Sequence, residues 1–387
     1  MINTIGYYLA LVFTIFSVLF LFTWLTIYQS LTWLLFLGLI LYISVCLANI
    51  VWPKIEAIPK ELIEPKNKAV LITGCDTGFG NKLAQRLAHY GFYVFAGCLQ
   101  PEGPGANQLR KSCRNAVKII KLDVTSEDDV KAAIKVVEEQ LKGRQLWAIV
   151  NNAGILISTE VEMGDMTSFN RQMEINCLGT IRVTKGFVPL IRQSGSIGGR
   201  VINVGSIAGR HCIPGMVAYS VSKAAVISFS EGLRRELKKW SIDVITIEPH
   251  LFKTNLTNDE VQKKCLEEAW KVTPESVKSD YGEAYLQGYQ KFLNAVLDSA
   301  RPQVDSVVDT MVIAVTHAFV SPSYRVMGHL ERIRVAAYDY LPIRLLDLIS
   351  HHLISCTSLT RPLLLLTKSS KTTIQLATKS SGGIEAS

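Results

Sequence analysis

The stretch SIAGRHCIPGMVAYSVSKAAV, Ser206 to Val226, sets a tyrosine and a lysine four residues apart and a serine thirteen residues ahead of the tyrosine. On a helix, positions i and i+4 share a face, so Tyr219 and Lys223 are expected side by side. Bringing a phenol from its usual pKa near 10 towards neutrality takes about 4 kcal/mol, and a unit charge at about 4 Å in an effective dielectric near 20 supplies roughly that. The pair therefore reads as a general base. Tyr219 would take the proton of an alcohol while hydride leaves for an acceptor, and Ser206 would hold the substrate oxygen. A Tyr-x-x-x-Lys pair alone is common on helix surfaces, so the reading depends on its surroundings.

An acceptor site lies upstream. TGCDTGFG, Thr73 to Gly80, follows an apolar run and opens a helical pattern, with Gly74, Gly78 and Gly80 spaced as a phosphate-binding turn and Thr77 and Phe79 between them. Glycines let the backbone approach a pyrophosphate, and the helix N-terminus offers free N–H groups and partial positive charge. NADP would require a basic partner for its 2′-phosphate. None occurs after the second apolar run before Arg110, and Asp76 would repel a phosphate, so NAD is the expected cofactor and NADP the lesser alternative. Asp123, in the LDV that follows the third run, is placed to accept from an adenine amine or to cap the next helix.

These residues need a scaffold that gathers the ends of several strands. Strand-length apolar runs at Ala69 to Thr73, Phe92 to Gly97, Val117 to Val124, Leu146 to Asn152, Arg200 to Ser206 and Asp243 to Pro249 alternate with helical patterns. That alternation predicts an α/β fold: a single Rossmann-type, doubly wound parallel sheet with helices on both faces. Beyond Pro249 come amphipathic stretches (Asn258 to Val272, Asp280 to Ala300), an apolar run (Val304 to Phe319) and a short YRVMG (Tyr324 to Gly328). Ala336 to Leu353 is amphipathic and could pack on the domain, pair subunits or lie on a bilayer.

The N-terminus is of another kind. Met1 to Pro53 contains no Asp, Glu, Lys or Arg. As one helix it would reach about 80 Å against a hydrocarbon core of about 30 Å, so two membrane spans broken at Thr26 to Thr32 are expected. Lys54, Lys60, Lys66 and Lys68 follow, which orients the large domain to the cytosol. The endoplasmic reticulum is the expected membrane and a mitochondrial membrane the alternative. The expected divisions are 1–53 transmembrane hairpin, 54–67 linker, 68–256 dinucleotide-binding catalytic core, 257–355 substrate-binding and helical extension, and 356–387 a largely disordered tail. The net charge of +8 is scattered and not blocked, which suits anionic lipid better than nucleic acid. Eight cysteines form no CxxC pair and no metal spacing, so reduced thiols and no metal site are expected.

In order, the glycine loop, NNAG (Asn151 to Gly154), Asn176, Ser206, Tyr219 and Lys223 resemble the short-chain dehydrogenase/reductase superfamily over roughly Lys68 to Leu256. TGCDTGFG, VFAGCL, GPGANQLR, LWAIVNNAG, SDYGEAY and AAYDYLPI resemble its membrane-associated steroid and retinoid branch. The resemblance implies NAD-linked oxidation of a secondary alcohol on a lipophilic steroid or retinoid. It also implies that Asn152, Ala153 and Gly154 border the cofactor together with Tyr219 and Lys223. Asn176 would bend its helix and hold a water that relays protons to Lys223, and Thr254 would bind the nicotinamide carboxamide. A homodimer through the helices carrying Asn176 and Tyr219 is implied as well. One departure stands out: His250 follows Pro249 where the family carries glycine, and it could crowd the nicotinamide, demand an unusual backbone angle or touch substrate. Two alternatives stay open, a dehydrogenase of a small hydroxy acid such as 3-hydroxybutyrate, with Lys253 or a lysine of the extension as carboxylate partner, and a non-catalytic dinucleotide-binding scaffold at the membrane.

Overall fold

The computed structural model describes residues 2–55, 61–193 and 198–348. The chain divides into two compact units, Met1–Pro59 and Lys60–Ser387.

The first unit is one helix, α1 (Ile2–Ile55). The expected break at Thr26 to Thr32 is absent, so the two-span hairpin is not what the structure contains. The polar patch holds no glycine or proline, and its hydroxyls are satisfied inside the helix: Thr26 donates to Phe22 O at 3.1 Å, Ser30 to Thr26 O at 2.8 Å and Thr32 to Gln29 O at 2.8 Å. Such back-bonding lets a helix continue through Ser and Thr. Leu11–Ser44 is long and apolar enough to cross a membrane.

The second unit is built on β1 (Lys68–Thr73), β2 (Tyr93–Cys98), β3 (Val117–Lys121), β4 (Gln145–Asn151), β5 (Gly199–Val204), β6 (Ile242–Pro249) and β7 (Ser323–Val326). They form a seven-stranded sheet in the order β3-β2-β1-β4-β5-β6-β7, and every neighbouring pair is parallel. Between strands run α2 (Gly78–His89), α3 (Pro104–Cys113), α4 (Glu127–Leu141), α5 (Met166–Gln172), α6 (Gly179–Gln193) and α7 (Val217–Leu237). After β6 come α8 (Asp259–Val272), α9 (Glu275–Tyr281), α10 (Glu283–Asp298) and α11 (Asp305–Thr316), and after β7 comes α12 (His329–Tyr340). The amphipathic stretch from Asp280 is divided at Gly282, between α9 and α10, whose φ of +78° only glycine adopts freely. In the amphipathic stretch from Ala336, α12 stops at Tyr340, two residues before Pro342, and helix resumes over residues 343–348. Residues 356–387, expected to be disordered, lie outside the described residues.

Each sheet face has its own apolar cluster. One joins Leu83, Ala84 and Leu87 of α2 to Val307, Met311 and Val315 of α11; the other joins Val130 and Val137 of α4 to Val183, Phe187 and Ile191 of α6. Burial on both faces accounts for the continuous Val/Ile/Leu runs, and each fully buried aliphatic side chain contributes about 1.5–3 kcal/mol. Arg200 of β5, 1% exposed, donates to the carbonyls of Ala314, His317 and Ala318 and so terminates α11, while Trp147 Nε1 donates to Val315 O. Burial lowers the Arg200 guanidinium to about 10. The sheet order reverses between β1 and β4, and the loops leaving their carboxyl ends frame the crevice in which such folds bind ligands.

Candidate active site

The glycine loop leaves β1 at that crevice. Gly74 and Gly78 have φ of +69° and +63°, and a Cβ on Gly80 would lie 2.5 Å from both Asn152 Nδ2 and Gly74 O, so the turn admits no side chain there. Thr77 occupies the N-cap of α2 and makes no side-chain cap bond, which leaves the first-turn N–H groups without that partner. A Cβ at Gly78 would meet nothing within 4 Å, so the start of the helix opens onto space. Glycine turn, uncapped amides and open space together fit a dinucleotide pyrophosphate. Phe79 packs edge-on against Phe252 at 6.2 Å, tying this loop to the segment after β6 that carries Thr254. Thr254 is partly buried, and its N–H donates to Thr257 Oγ1 at 2.9 Å.

Asn152 fixes the loop from β4. Its Nδ2 donates to Thr73 O at 2.9 Å and Gly74 O at 3.1 Å, while Thr73 Oγ1 accepts from the N–H groups of Asn152 and Ala153, both at 3.0 Å. Thr73 was not singled out in the sequence, although its place directly before Gly74 was the available signal. Asp76 was read as a charge repelling phosphate, and its position is more specific. Its two carboxylate oxygens accept from Leu99 N and Gln100 N, each at 2.9 Å, so its negative charge sits at the carboxyl end of β2. The first base after β2, Arg110, is paired with Glu102 at 2.8 Å. Asp123 lies two residues past β3 and accepts from Thr125 N and Oγ1 in a tight turn; the N-cap of α4 is Ser126, so the capping alternative for Asp123 does not hold.

The hydroxyl, phenol and ammonium converge at the ends of β5 and α7. Lys223 is 4% exposed, its Nζ donates to Val204 O at 2.8 Å, and it lies 5.8 Å from the Tyr219 ring centre. Ser206 Oγ accepts from Ala208 N at 3.1 Å and donates to Pro249 O at 3.4 Å. Asn176 lies in a π-turn, Met173–Leu178, between α5 and α6, an interruption of the kind at which helices kink. Its side chain brackets Ile155, accepting from Ile155 N at 2.8 Å and donating to Ile155 O at 2.9 Å, and it donates to Ser222 Oγ at 2.9 Å. Thr180 Oγ1 caps the Asn176 carbonyl at 2.8 Å. Gly154 closes the group: a Cβ there would lie 3.1 Å from Asn176 Oδ1 and 3.5 Å from Lys223 Nζ.

The electrostatics differ from the simple sequence argument. Burial pushes the Tyr219 phenol up to about 12, with the Ser206 hydroxyl pulling it back in part, and burial brings the Lys223 ammonium down to about 8. In this geometry the lysine alone does not make the phenol acidic. Its Nζ is engaged by a backbone carbonyl, and burial penalises the charged form of both groups.

His250 adopts no positive φ, so no glycine backbone angle is demanded of it. Its N–H donates to Val326 O at 2.9 Å, and its ring is depressed by burial against the opposing influence of Glu331. Sequence reasoning missed a buried ion cluster beside it. Glu248, fully buried, accepts from Arg210 at 2.9 and 3.2 Å and from Ser323 Oγ at 2.9 Å, and Arg325 Nε lies 3.6 Å away. Arg210 belongs to the loop that starts at Ser206, so the cluster anchors that loop to β6 and β7. Arg210, Glu248 and Arg325 are separated by tens of residues, and no local pattern announces them.

Apolar residues flank Tyr219. Leu156, Met216, Leu293 and Leu297 form a buried cluster against which Tyr219, Ile213, Leu256 and Val296 pack. Of the described cysteines, Cys75, Cys98, Cys113 and Cys177 are buried free thiols and Cys212 is exposed. Among the described residues no group of His, Cys, Asp and Glu could hold a metal ion.

Comparison with known proteins agrees with this geometry. Residues 68–264 match the family model described as short chain dehydrogenase. Estradiol 17-beta-dehydrogenase 2 of Mus musculus is 36% identical over 294 residues, covering 74% of this chain and 75% of that protein. Retinol dehydrogenase 7 of Mus musculus is 36% identical over 282 residues, covering 73% of this chain and 87% of that protein. Among solved structures, a short chain dehydrogenase/reductase from Burkholderia phymatum in complex with NAD aligns with a TM-score of 0.58 at 19% identity, over 73% of this chain and 96% of that one. A short chain dehydrogenase from Burkholderia cenocepacia in complex with NADP aligns at 0.50 and 23%, over 70% and 92%; both share the fold, and they differ in cofactor. The chain belongs to the short-chain dehydrogenase/reductase family and is an oxidoreductase.

Proposed function

We propose that the protein is an NAD-dependent dehydrogenase that oxidises a secondary alcohol on a lipophilic substrate of steroid or retinoid type, held at a membrane by α1. The observation that carries this reading is the Ser206–Tyr219–Lys223 group at the ends of β5 and α7, with an apolar cluster built on Tyr219 itself. When bound, the oxidised nicotinamide supplies a hydride acceptor and a positive charge. Tyr219 takes the hydroxyl proton, Ser206 holds the substrate oxygen, and Lys223 stabilises the phenolate and passes the proton on, with Asn176 holding the relay water. Gly74, Thr77, Gly78, Phe79 and Gly80 hold the pyrophosphate, Asp123 the adenine, Asn152, Ala153 and Gly154 the dinucleotide's flank, and Thr254 the carboxamide.

Four features support the finer points. Asp76 at the end of β2, with Arg110 neutralised by Glu102, favours a free ribose hydroxyl over a phosphate and hence NAD. The apolar residues around Tyr219 favour a lipophilic alcohol over a hydroxy acid, and Lys253, a cation the latter reading would use, is exposed. Leu178 and Val221, 44% and 42% exposed beside the buried Asn176 and Lys223, suit a homodimer seam on those helices. The lysines that follow α1 favour a cytosolic catalytic unit at the endoplasmic reticulum.

The direct test incubates the full-length protein in nanodiscs with NAD and a panel of steroid alcohols and retinol. At least one member should yield NADH, and Tyr219→Phe should lower that rate about 10²–10⁴-fold, the usual weight of a general base. No NADH from any member, or an unchanged rate in the variant, would refute the assignment.

A further inference from the structure

The helix α12 is oriented unusually for the surface of a soluble unit. Its inward stripe, spaced four residues apart, is Glu331, Val335 and Asp339. Glu331 meets Arg301 at 3.4 Å, Val335 is 6% exposed, and Asp339 meets Arg325 at 2.6 Å and His211 Nε2 at 3.1 Å. The polar contacts of this helix therefore face the protein. At 100° per residue, Leu330 and Ile333 lie roughly 140° and 160° round the helix from Val335, on the outward side. They are 71% and 69% exposed, and the apolar surface continues past the helix end through Ile343 at 74% and Leu348 at 66%. Arg334 and Arg344 are exposed among them. A helix whose acidic side chains engage the protein while its outward face mixes aliphatic residues with an arginine has the polarity of a surface in contact with anionic lipid.

We propose that the outward face of α12, continued through Ile343 and Leu348, is a second membrane contact that lies in the interface of an anionic bilayer. This rests on the reading that α1 holds the chain at a membrane. Two observations select lipid over a second copy of the chain or its own C-terminal segment. The exposed arginines interleaved with the aliphatic residues match anionic headgroups. The inward stripe of α12 also grips the loops around the reaction centre, His211 on the loop that begins at Ser206 and Arg301 beside the segment after β6. Lipid on the outward face thus borders the loops past which a dissolved lipophilic alcohol would reach Tyr219.

The test uses the full-length chain in vesicles of phosphatidylcholine and phosphatidylserine, with an environment-sensitive fluorescent amino acid placed singly at Ile333, at Ile343 or, as a control on the opposite end of the sheet order, at Lys111. Flotation of the protein with the vesicles is scored first. The proposal expects emission at the first two positions to shift to the blue and to be quenched several-fold by brominated lipid, with the Lys111 probe unaffected. A floating protein whose probes at Ile333 and Ile343 stay water-like would overturn the second contact and leave the α1 anchor standing. Failure to float would remove the anchor and the second contact together. Blue-shifted emission that brominated lipid does not quench would assign the face to protein and reject the proposal. As an independent readout, Ile333→Ser with Ile343→Ser should raise the apparent KM for a vesicle-borne alcohol several-fold and leave NAD binding unchanged.

Discussion

The Lys223 ammonium, almost wholly buried, donates to Val204 O at 2.8 Å and lies 5.8 Å from the ring centre of Tyr219. A cation in that position is costly to fold around. Burial lowers it from 10.5 to about 8, a difference equivalent to about 3 kcal/mol. Because the folded pKa lies below the unfolded one, the unfolded chain binds the extra proton between these values, and stability rises with pH across that window. Lys223→Met is therefore expected to melt above the parent at pH 7, with the advantage shrinking as pH approaches 10, while oxidation activity is lost. Thermal melts across that range check it, and a variant less stable than the parent at every pH would show that the Val204 bond outweighs the desolvation.

Asp76 concerns cofactor choice. With both oxygens on Leu99 N and Gln100 N, it holds negative charge at the carboxyl end of β2, where the proposed reading puts the adenosine ribose. Asp76→Asn should raise the use of NADP relative to NAD about tenfold, the counterpart of about 1.4 kcal/mol of relieved repulsion. Steady-state kinetics with both dinucleotides decide it; an unchanged ratio would place the selectivity elsewhere.

Gly80 has no room for a methyl group. A Cβ would come within 2.5 Å of the Gly74 carbonyl, a backbone atom that cannot swing aside. Gly80→Ala should move the loop at a cost of about 1–3 kcal/mol and weaken dinucleotide binding by tenfold or more. Calorimetric titration with NAD measures the loss.

Glu248→Gln would leave Arg210 and Arg325, whose side chains are 29% and 37% exposed, beside a neutral amide where a fully buried carboxylate stood. Breaking one side of a fully buried ion pair costs about 3–5 kcal/mol, and solvent on the two arginines sets the loss at the low end of that range or below it. We expect a lower melting temperature and a reduced kcat as the Ser206 loop loosens. Replacing Arg210 and Glu248 together by Met should recover part of the stability.

How legible the molecule was in its sequence depended on how local each signal is. β1 and β5 announce themselves as Val/Ile runs because both of their faces are buried, and the Tyr219–Lys223 spacing needs only one helical turn to be read. The glycine loop was legible because the turn tolerates no Cβ at Gly80. Length argued for a break near Thr26 to Thr32, but the hydroxyls there bond within the helix and α1 runs on. The Glu248 cluster was invisible because Arg210, Glu248, Arg325 and Asp339 meet only in three dimensions. The Tyr219 acidity was misjudged because the sequence shows the charge beside the phenol and not the burial that opposes it.

That last point gives the most direct test. The phenolate of Tyr219 is measured by ultraviolet difference titration of the parent against Tyr219→Phe, with and without saturating NAD. The account expects the free protein to hold the phenol near 12, as burial dictates, and the oxidised dinucleotide to bring its ionisation down by several pH units. A phenol that ionises no more readily with NAD bound than without it would contradict the assignment of Tyr219 as the base.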